Sequence, residues 1–159
     1  MPVSLEIKKW PDSCLTQPCL SVPRSLIGTD EKQHLIDIMM ARVYRSMYTM
    51  GGLAANQLGA TDKVAIFNLG TRLQEIINPE YVYLSRETII WFEGCCSFPF
   101  LLRMPVRRSK EVVVKGLNGA GSELMLPLSG KFAVAAQHEI DHLNGILMID
   151  KQLGKRKEE

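Results

Sequence analysis

At 159 residues, the chain has room for one domain with a buried core and little more. Its hydrophobic content of 46% and charged content of 23% are ordinary for a water-soluble globular protein. The net charge of +2 is too small to imply a DNA or membrane partner. No apolar run approaches the ~20 residues that span a bilayer. Met1-Pro2-Val3-Ser4-Leu5-Glu6 lacks the basic start and apolar stretch of a secretory leader, so a cytoplasmic location is expected.

In chain order, residues 1–28 are rich in Pro and Ser and read as an irregular arm. Within it, Cys14 and Cys19 read as small semi-buried residues. From Asp30 to about Tyr48 the pattern is helical: Leu35, Met39, Val43 and Met47 recur every four residues, and Ile36 and Met40 widen the stripe. Asp30 with Gln33 three residues on resembles a capping box. The methionine stripe reads as core. The period then switches to short β-type runs over Val64–Asn68, Leu73–Asn78 and Thr88–Phe92. Glu111–Gly116 and Glu123–Leu128 flank Asn118-Gly119-Ala120-Gly121, a hairpin signal. A second helix is expected from Lys131 to Asn144, with Gly145 at its C-terminal cap. Helix, strands and helix without βαβ alternation specify an α+β fold. If the chain is extended at Cys95 and Cys96, the two side chains point to opposite sides and are poor disulfide partners.

The second helix carries the strongest chemical signal, Gln137-His138-Glu139-Ile140-Asp141-His142. Residues four apart share a helical face, so His138 and His142 can grip one metal ion. Glu139 can lean toward a water at that ion and act as its general base. Two partly exposed histidines on a helix would be the plainer reading of a single histidine. This pair, however, makes up two of the three in the chain, with a glutamate between them. A third protein ligand is usual. The downstream positions that metalloproteases use hold Met148, or Glu158 and Glu159 in a charged tail, so the ligand is expected from upstream. Glu93-Gly94-Cys95-Cys96-Ser97-Phe98-Pro99, at the end of an apolar strand, can supply a thiolate and complete a Cys-His-His site.

Three segments in order resemble peptide deformylase: Gly52-Leu53-Ala54-Ala55-Asn56-Gln57, Glu93-Gly94-Cys95-Cys96-Ser97 and Gln137-His138-Glu139-Ile140-Asp141-His142-Leu143, with Ile77-Asn78-Pro79 between the first two. The resemblance runs from Pro11-Asp12 to Met148. It implies that residues 1–159 form one compact α+β catalytic domain, with the metal-binding helix buried between small, mainly antiparallel sheets. It also implies a hydrolase that removes the N-formyl group from the N-terminal methionine of nascent polypeptides. One divalent metal ion is implied, natively Fe²⁺ with Zn²⁺, Ni²⁺ or Co²⁺ as alternatives, held by Cys95, His138 and His142. By the same resemblance Glu139 moves the proton, while Gln57 and the backbone N–H of Cys96 meet the developing oxyanion. One such donor is typically worth ~3–4 kcal/mol.

Gly51, Gly52, Gly94, Arg103, Val134 and Ala135 are the expected substrate-binding residues. The chain departs from the family pattern at Met50-Gly51-Gly52-Leu53, where Gly-x-Gly-Leu is usual, and the preceding turn is about two residues short. Gly51 stands where an apolar residue is common, which predicts a roomier methionine pocket bounded by Val134 and Ala135. Cys96 stands where leucine is common and adds an oxidation liability. Lys155-Arg156-Lys157 offers a transient contact with ribosomal RNA, although a solvated tail is the plainer reading. A metallopeptidase and a non-catalytic binding relative are the alternatives. The first lacks its usual third ligand, and the second would tend to have lost Glu139, Gln57 or a ligand.

Overall fold

A computed structural model describes residues 6–46, 49–98, 100 and 103–154. Two helices, α1 (Asp30–Arg45) and α2 (Gly130–Leu143), accompany seven strands: β1 (Gly52–Ala54), β2 (Val64–Asn68), β3 (Leu73–Leu84), β4 (Thr88–Glu93), β5 (Met104–Ser109), β6 (Glu111–Leu117) and β7 (Glu123–Ser129). Five strands form one sheet in the order β1-β2-β3-β6-β7, while β4 and β5 form a separate pair. All strand pairs are antiparallel.

Strand β2 shows how the core is assembled. All five of its residues are buried because a helix covers each face of the sheet. Val64 and Ile66 pack with Leu35, Ile36, Met39 and Val43 of α1. Ala65 and Phe67 point the other way, into Ala133, Ala136, Ile140 and Leu143 of α2. The alternation of side chains along a strand makes this division. A third cluster joins Leu15, Phe98, Met104, Val106, Leu147 and Met148, and β5 meets α2 through Arg108 to Asp141 and through Ser109 N–H to Gln137 Oε1, on the side away from the main sheet. The chemical helix therefore lies between two sheets.

Local chemistry departs from expectation in several places. Asp30 is the first residue of α1 and Thr29 is the N-cap, without a side-chain cap bond. Gln33 donates forward to Asp37 at 2.8 Å, so no capping box forms, and Asp30 and Glu31 interact with the positive helix end instead. The expected end of this helix, at Met47 and Tyr48, lies outside the described residues. Strand β3 continues past Asn78 to Leu84. Asn78 adopts φ 52° and the register shifts between Ile77 and Glu80, a bulge that lets Pro79 sit in a strand. Asn78 also holds the N-terminal arm, accepting from Val22 N–H at 2.8 Å and donating to Val22 O at 2.9 Å. The β6–β7 hairpin forms as expected, with Asn118 Oδ1 accepting from Ala120 and Ser122 N–H. Gly145 follows α2 at φ 71°. Cys14 and Cys19 are half-buried and free.

Candidate metal centre and cleft

α2 presents its polar residues toward the smaller sheet and a cleft. From Ala133 to Leu143 every residue except Ala135 is buried, so each polar group there needs a partner. The His138 and His142 rings stand edge to face, 4.8 Å between centroids, as positions one turn apart require. Cys95 Sγ lies 3.2 Å from His142 Nε2. Candidate donor atoms of Cys95, His138 and His142 all fall within 4.8 Å of one another. One thiolate and two imidazoles so spaced suit a single divalent ion with a position open to the cleft. A bound cation would take the Cys95 proton outright.

Around these donors lies an ionic scaffold. His138 Nδ1 donates to Glu93 Oε2 at 2.8 Å, which leaves the Nε2 lone pair free for a metal. Arg108 grips Glu93 through two bonds of 2.5 and 3.0 Å and also bonds Asp141. Lys151 reaches the other Asp141 oxygen at 2.8 Å. Burial alone would raise the Glu93 carboxyl, but hydrogen bonds from Arg108 and His138 overcome it and hold the group down at about 2. The partners of Arg108 keep its guanidinium charged despite burial. Asn56 Nδ2 donates to His142 O at 2.5 Å and ties the end of α2 to the segment after β1.

Glu139 is 4% exposed, and its Oε2 has no hydrogen-bond partner among the described residues. Burial pushes its carboxyl up to about 8, although His138 pulls the other way. Gly52 makes room for it: a Cβ there would lie 2.6 Å from Ile66 O and 2.7 Å from Glu139 Cγ. Gln57 Oε1 accepts from Ala54 N–H at 2.9 Å, which turns Nε2 toward Cys96 Sγ and Ser97 Oγ at 3.4 and 3.2 Å. Gln57 is fully buried in a 3-10 turn (Ala55–Leu58) that follows β1.

A cleft of about 720 Å³ opens over this floor. Gln57, Cys95, Cys96, His138, Glu139, Gly51, Gly52, Gly94, Arg103, Val134 and Ala135 all line it, so the structure brings the sequence candidates together, with His142 just beneath. Gly51 corrects one expectation. A Cβ there would lie 3.1 Å from Ala135 Cβ, so the missing side chain lets α2 approach and does not leave a hollow. The chain leaves the extended form here, in a turn closed by Phe98 N–H donating to Cys95 O at 2.9 Å, and Cys95 and Cys96 are both free thiols.

Sequence reasoning missed Trp91, Phe92, Lys131 and Phe132, which also line the cleft, and it missed Arg108. The run Met104-Pro105-Val106-Arg107-Arg108-Ser109 hides its alternation behind a proline and two arginines. Arg108 nonetheless points inward with Met104 and Val106. A second charge beside Glu93 would have been the signal for it, since a buried carboxylate needs one.

The polypeptide deformylase family model matches residues 4–158. The chain is 40% identical over 153 residues to the peptide deformylase of Thermodesulfovibrio yellowstonii, covering 92% of this chain and 88% of that protein. It is also 40% identical over 153 residues to the peptide deformylase of Halothermothrix orenii, covering 95% and 94%. The fold matches the crystal structure of peptide deformylase from Thermotoga maritima with TM-score 0.85 and 32% identity, over 94% and 97% of the two chains. It matches a Met-Ala-Ser-bound class I type b peptide deformylase from Acinetobacter baumannii with TM-score 0.85 and 29% identity, over 95% and 99%. With the family model spanning nearly the whole sequence and these relatives aligned end to end, the chain belongs to the polypeptide deformylase family.

Proposed function

We infer that residues 1–159 act as one catalytic domain that hydrolyses the N-formyl group from the terminal methionine of nascent polypeptides. The observation that carries this reading is the convergence of Cys95, His138 and His142 at the floor of a cleft that also presents Glu139 and Gln57. These three residues would hold one divalent ion, natively Fe²⁺. Zn²⁺, Ni²⁺ and Co²⁺ suit the same donors, and availability decides among them. When bound, the ion supplies the Lewis acidity that makes water nucleophilic near neutral pH and polarises the formyl carbonyl.

The chain's own residues do the rest. Glu139, unpartnered at Oε2 and held against Gly52, takes a proton from the attacking water. It returns that proton to the nitrogen as the C–N bond breaks, yielding formate and a free amino terminus. A carboxyl raised toward neutrality suits both directions of that transfer. Gln57 Nε2, fixed by the Ala54 bond, and the N–H of Cys96 donate to the oxygen as it gains charge. Gly51, Gly52, Gly94 and Arg103 flank the peptide, with the Arg103 stem 3.7 Å from where a Gly94 Cβ would stand. Val134 and Ala135 bound the methionine side chain, and the Acinetobacter relative's Met-Ala-Ser ligand fits this reading.

We place the enzyme in the cytoplasm, on the ordinary route of nascent chains. Among the described residues no helix is long and apolar enough to cross a membrane. The basic tail Lys155-Arg156-Lys157, proposed to touch the ribosome transiently, lies outside the described residues. The deciding assay is formate release from formyl-Met-Ala-Ser, with unblocked Met-Ala-Ser as the control. Release of methionine instead of formate would replace this reading with a peptidase.

A further inference from the structure

We propose that Lys131 selects the third residue of the formylated chain, favouring an acidic side chain there. The inference rests on the deformylase reading of the cleft and adds a preference to it. Among the described residues β1 has a single partner strand, β2, so its open edge can take a peptide in extended form. β1 also runs along α2. A Cβ on Gly52 would meet Glu139 Cγ at 2.7 Å, and one on Gly51 would meet Ala135 Cβ at 3.1 Å. One step back along β1 thus answers to one turn back along α2, away from the histidines and toward Lys131.

The spacings of peptide and helix agree. Under the deformylase reading Val134 and Ala135 bound the methionine side chain. Lys131 lies one turn before Ala135, on the same helical face and ~6 Å toward the helix start. In an extended peptide the second side chain turns away, while the third leaves on the same side as the methionine. That third side chain stands ~7 Å beyond the first. It therefore comes to Lys131, and the second does not.

The charge at that end of the cleft is unanswered by the protein. Glu93 and Glu139 line the cleft from its buried floor, whereas Arg103 and Lys131 stand exposed at its rim. Neither cation has an ion-pair partner among the described residues. Arg103 stands beside Gly94, just past β4, so Lys131 is the cation of the α2 wall. Its ammonium lies 5.1 Å from the Phe132 ring centroid. The edge of that ring is 3.4 Å from where a Cβ on Gly70 would stand, and Gly70 lines the same cleft. The cation–π contact holds the Lys131 charge over this outer end and leaves it for a substrate carboxylate.

The test compares formyl-Met-Ala-Asp-Ala-amide with its isostere formyl-Met-Ala-Asn-Ala-amide in wild type, Lys131→Met and Lys131→Glu. Wild-type kcat/KM for formate release should favour aspartate by ~2–5-fold, the range of exposed ion pairs, and chiefly through KM. Lys131→Met should bring the two peptides level, and Lys131→Glu should favour asparagine. Aspartate moved to the second position should respond to neither substitution. Binding of the unformylated peptides to the metal-loaded protein, followed by nuclear magnetic resonance titration, reads the same ratio without turnover. Equal values in wild type would overturn the proposal. So would a preference that survives Lys131→Met, or an equal response at the second position. An aspartate preference in binding without formate release would keep the role of Lys131 and remove the deformylase reading, whereas formate release without preference would do the reverse.

Discussion

The two helices face the same strand from opposite sides and have opposite fates. α1 is covered on one face only. Leu35, Ile36, Met39 and Val43 are buried, while Glu31, Gln33, Asp37 and Tyr44 face solvent. α2 is covered by the main sheet on one side and by β5 on the other, and its polar residues are buried with its apolar ones. A helix with one covered face can contribute only an apolar stripe. A helix enclosed twice can hold imidazoles and carboxylates away from bulk water, where fixed charges and dipoles act more strongly, provided each group finds a partner. The Glu93–Arg108–Asp141 cluster supplies those partners on the α2 side.

The sharpest way to break this comparison is Glu139→Gln. The substitution keeps size and burial while removing the proton carrier, so kcat should fall by ~10²–10⁴-fold with metal content unchanged. Near-normal turnover with full metal would take proton transfer away from α2. Elemental analysis of Cys95→Ser, His138→Ala and His142→Ala accompanies it. Each variant should lose its stoichiometric metal, and one that keeps it removes that residue from the ligand set.

Next in size is Arg108→Met, which strands the Glu93 and Asp141 carboxylates in the interior. Breaking a buried pair from one side costs ~3–5 kcal/mol, and loosening the partner of His138 should weaken metal binding by ~10–100-fold. Urea unfolding and a metal titration measure both. A stability change below ~1 kcal/mol would mean that the network is not what holds α2.

Met39→Ala is the counterpart on α1. Met39 is fully buried, and such a truncation costs ~2–5 kcal/mol. Metal content and kcat per folded molecule should not change, because α1 contributes nothing to the cleft. A parallel loss of kcat would show that α1 shapes the site through β2. Gly51→Ala is smaller: its added methyl meets Ala135 at 3.1 Å, and overpacking of this kind costs ~1–3 kcal/mol. It should narrow the range of formyl-peptide side chains hydrolysed, read from kcat/KM for formyl-Met against formyl-Phe and formyl-Leu peptides. An unchanged ratio would exclude Gly51 from the pocket wall.

How much of this was legible in the sequence follows from the same physics. Periodicity located α1, because burial imposes a 3.6-residue repeat on a helix that packs by one face, whereas α2 was placed by Gly145 at its C-terminal cap. The two histidines and Glu139 were legible because their spacing carries the chemistry. The third ligand became specific only through the resemblance, since nothing in Cys95-Cys96 alone says which sulfur turns toward α2. What the sequence concealed was set by tertiary contact. Arg108 looks like a surface residue until β5 folds over α2, and β3 looks finished at Pro79 until the Asn78 bulge carries it on. Gly51 reads as empty space until α2 moves in to fill it.

The smallest predicted effect tests the open side of α1. Lys32 is the one buried charge on that helix. It bonds Asp62 at 3.0 Å and Glu31 at 3.1 Å, yet the Glu31 side chain is 82% exposed. Water therefore screens the cluster in a way it cannot screen Arg108, and such pairs contribute ~0–1 kcal/mol. Burial alone would lower the Lys32 ammonium, but the bonds from Asp62 and Glu31 outweigh it and the group sits above its ordinary 10.5. A raised folded value means that the contribution is fully present below pH 10.5 and fades as pH climbs through the folded value. Lys32→Met should thus cost under ~1 kcal/mol at neutral pH, and the gap between variant and wild type should close in strongly alkaline buffer. Urea midpoints at the two pH values measure it. A neutral-pH loss as large as that of Arg108→Met would show that α1 is enclosed as α2 is, and the contrast between one covered face and two would fail.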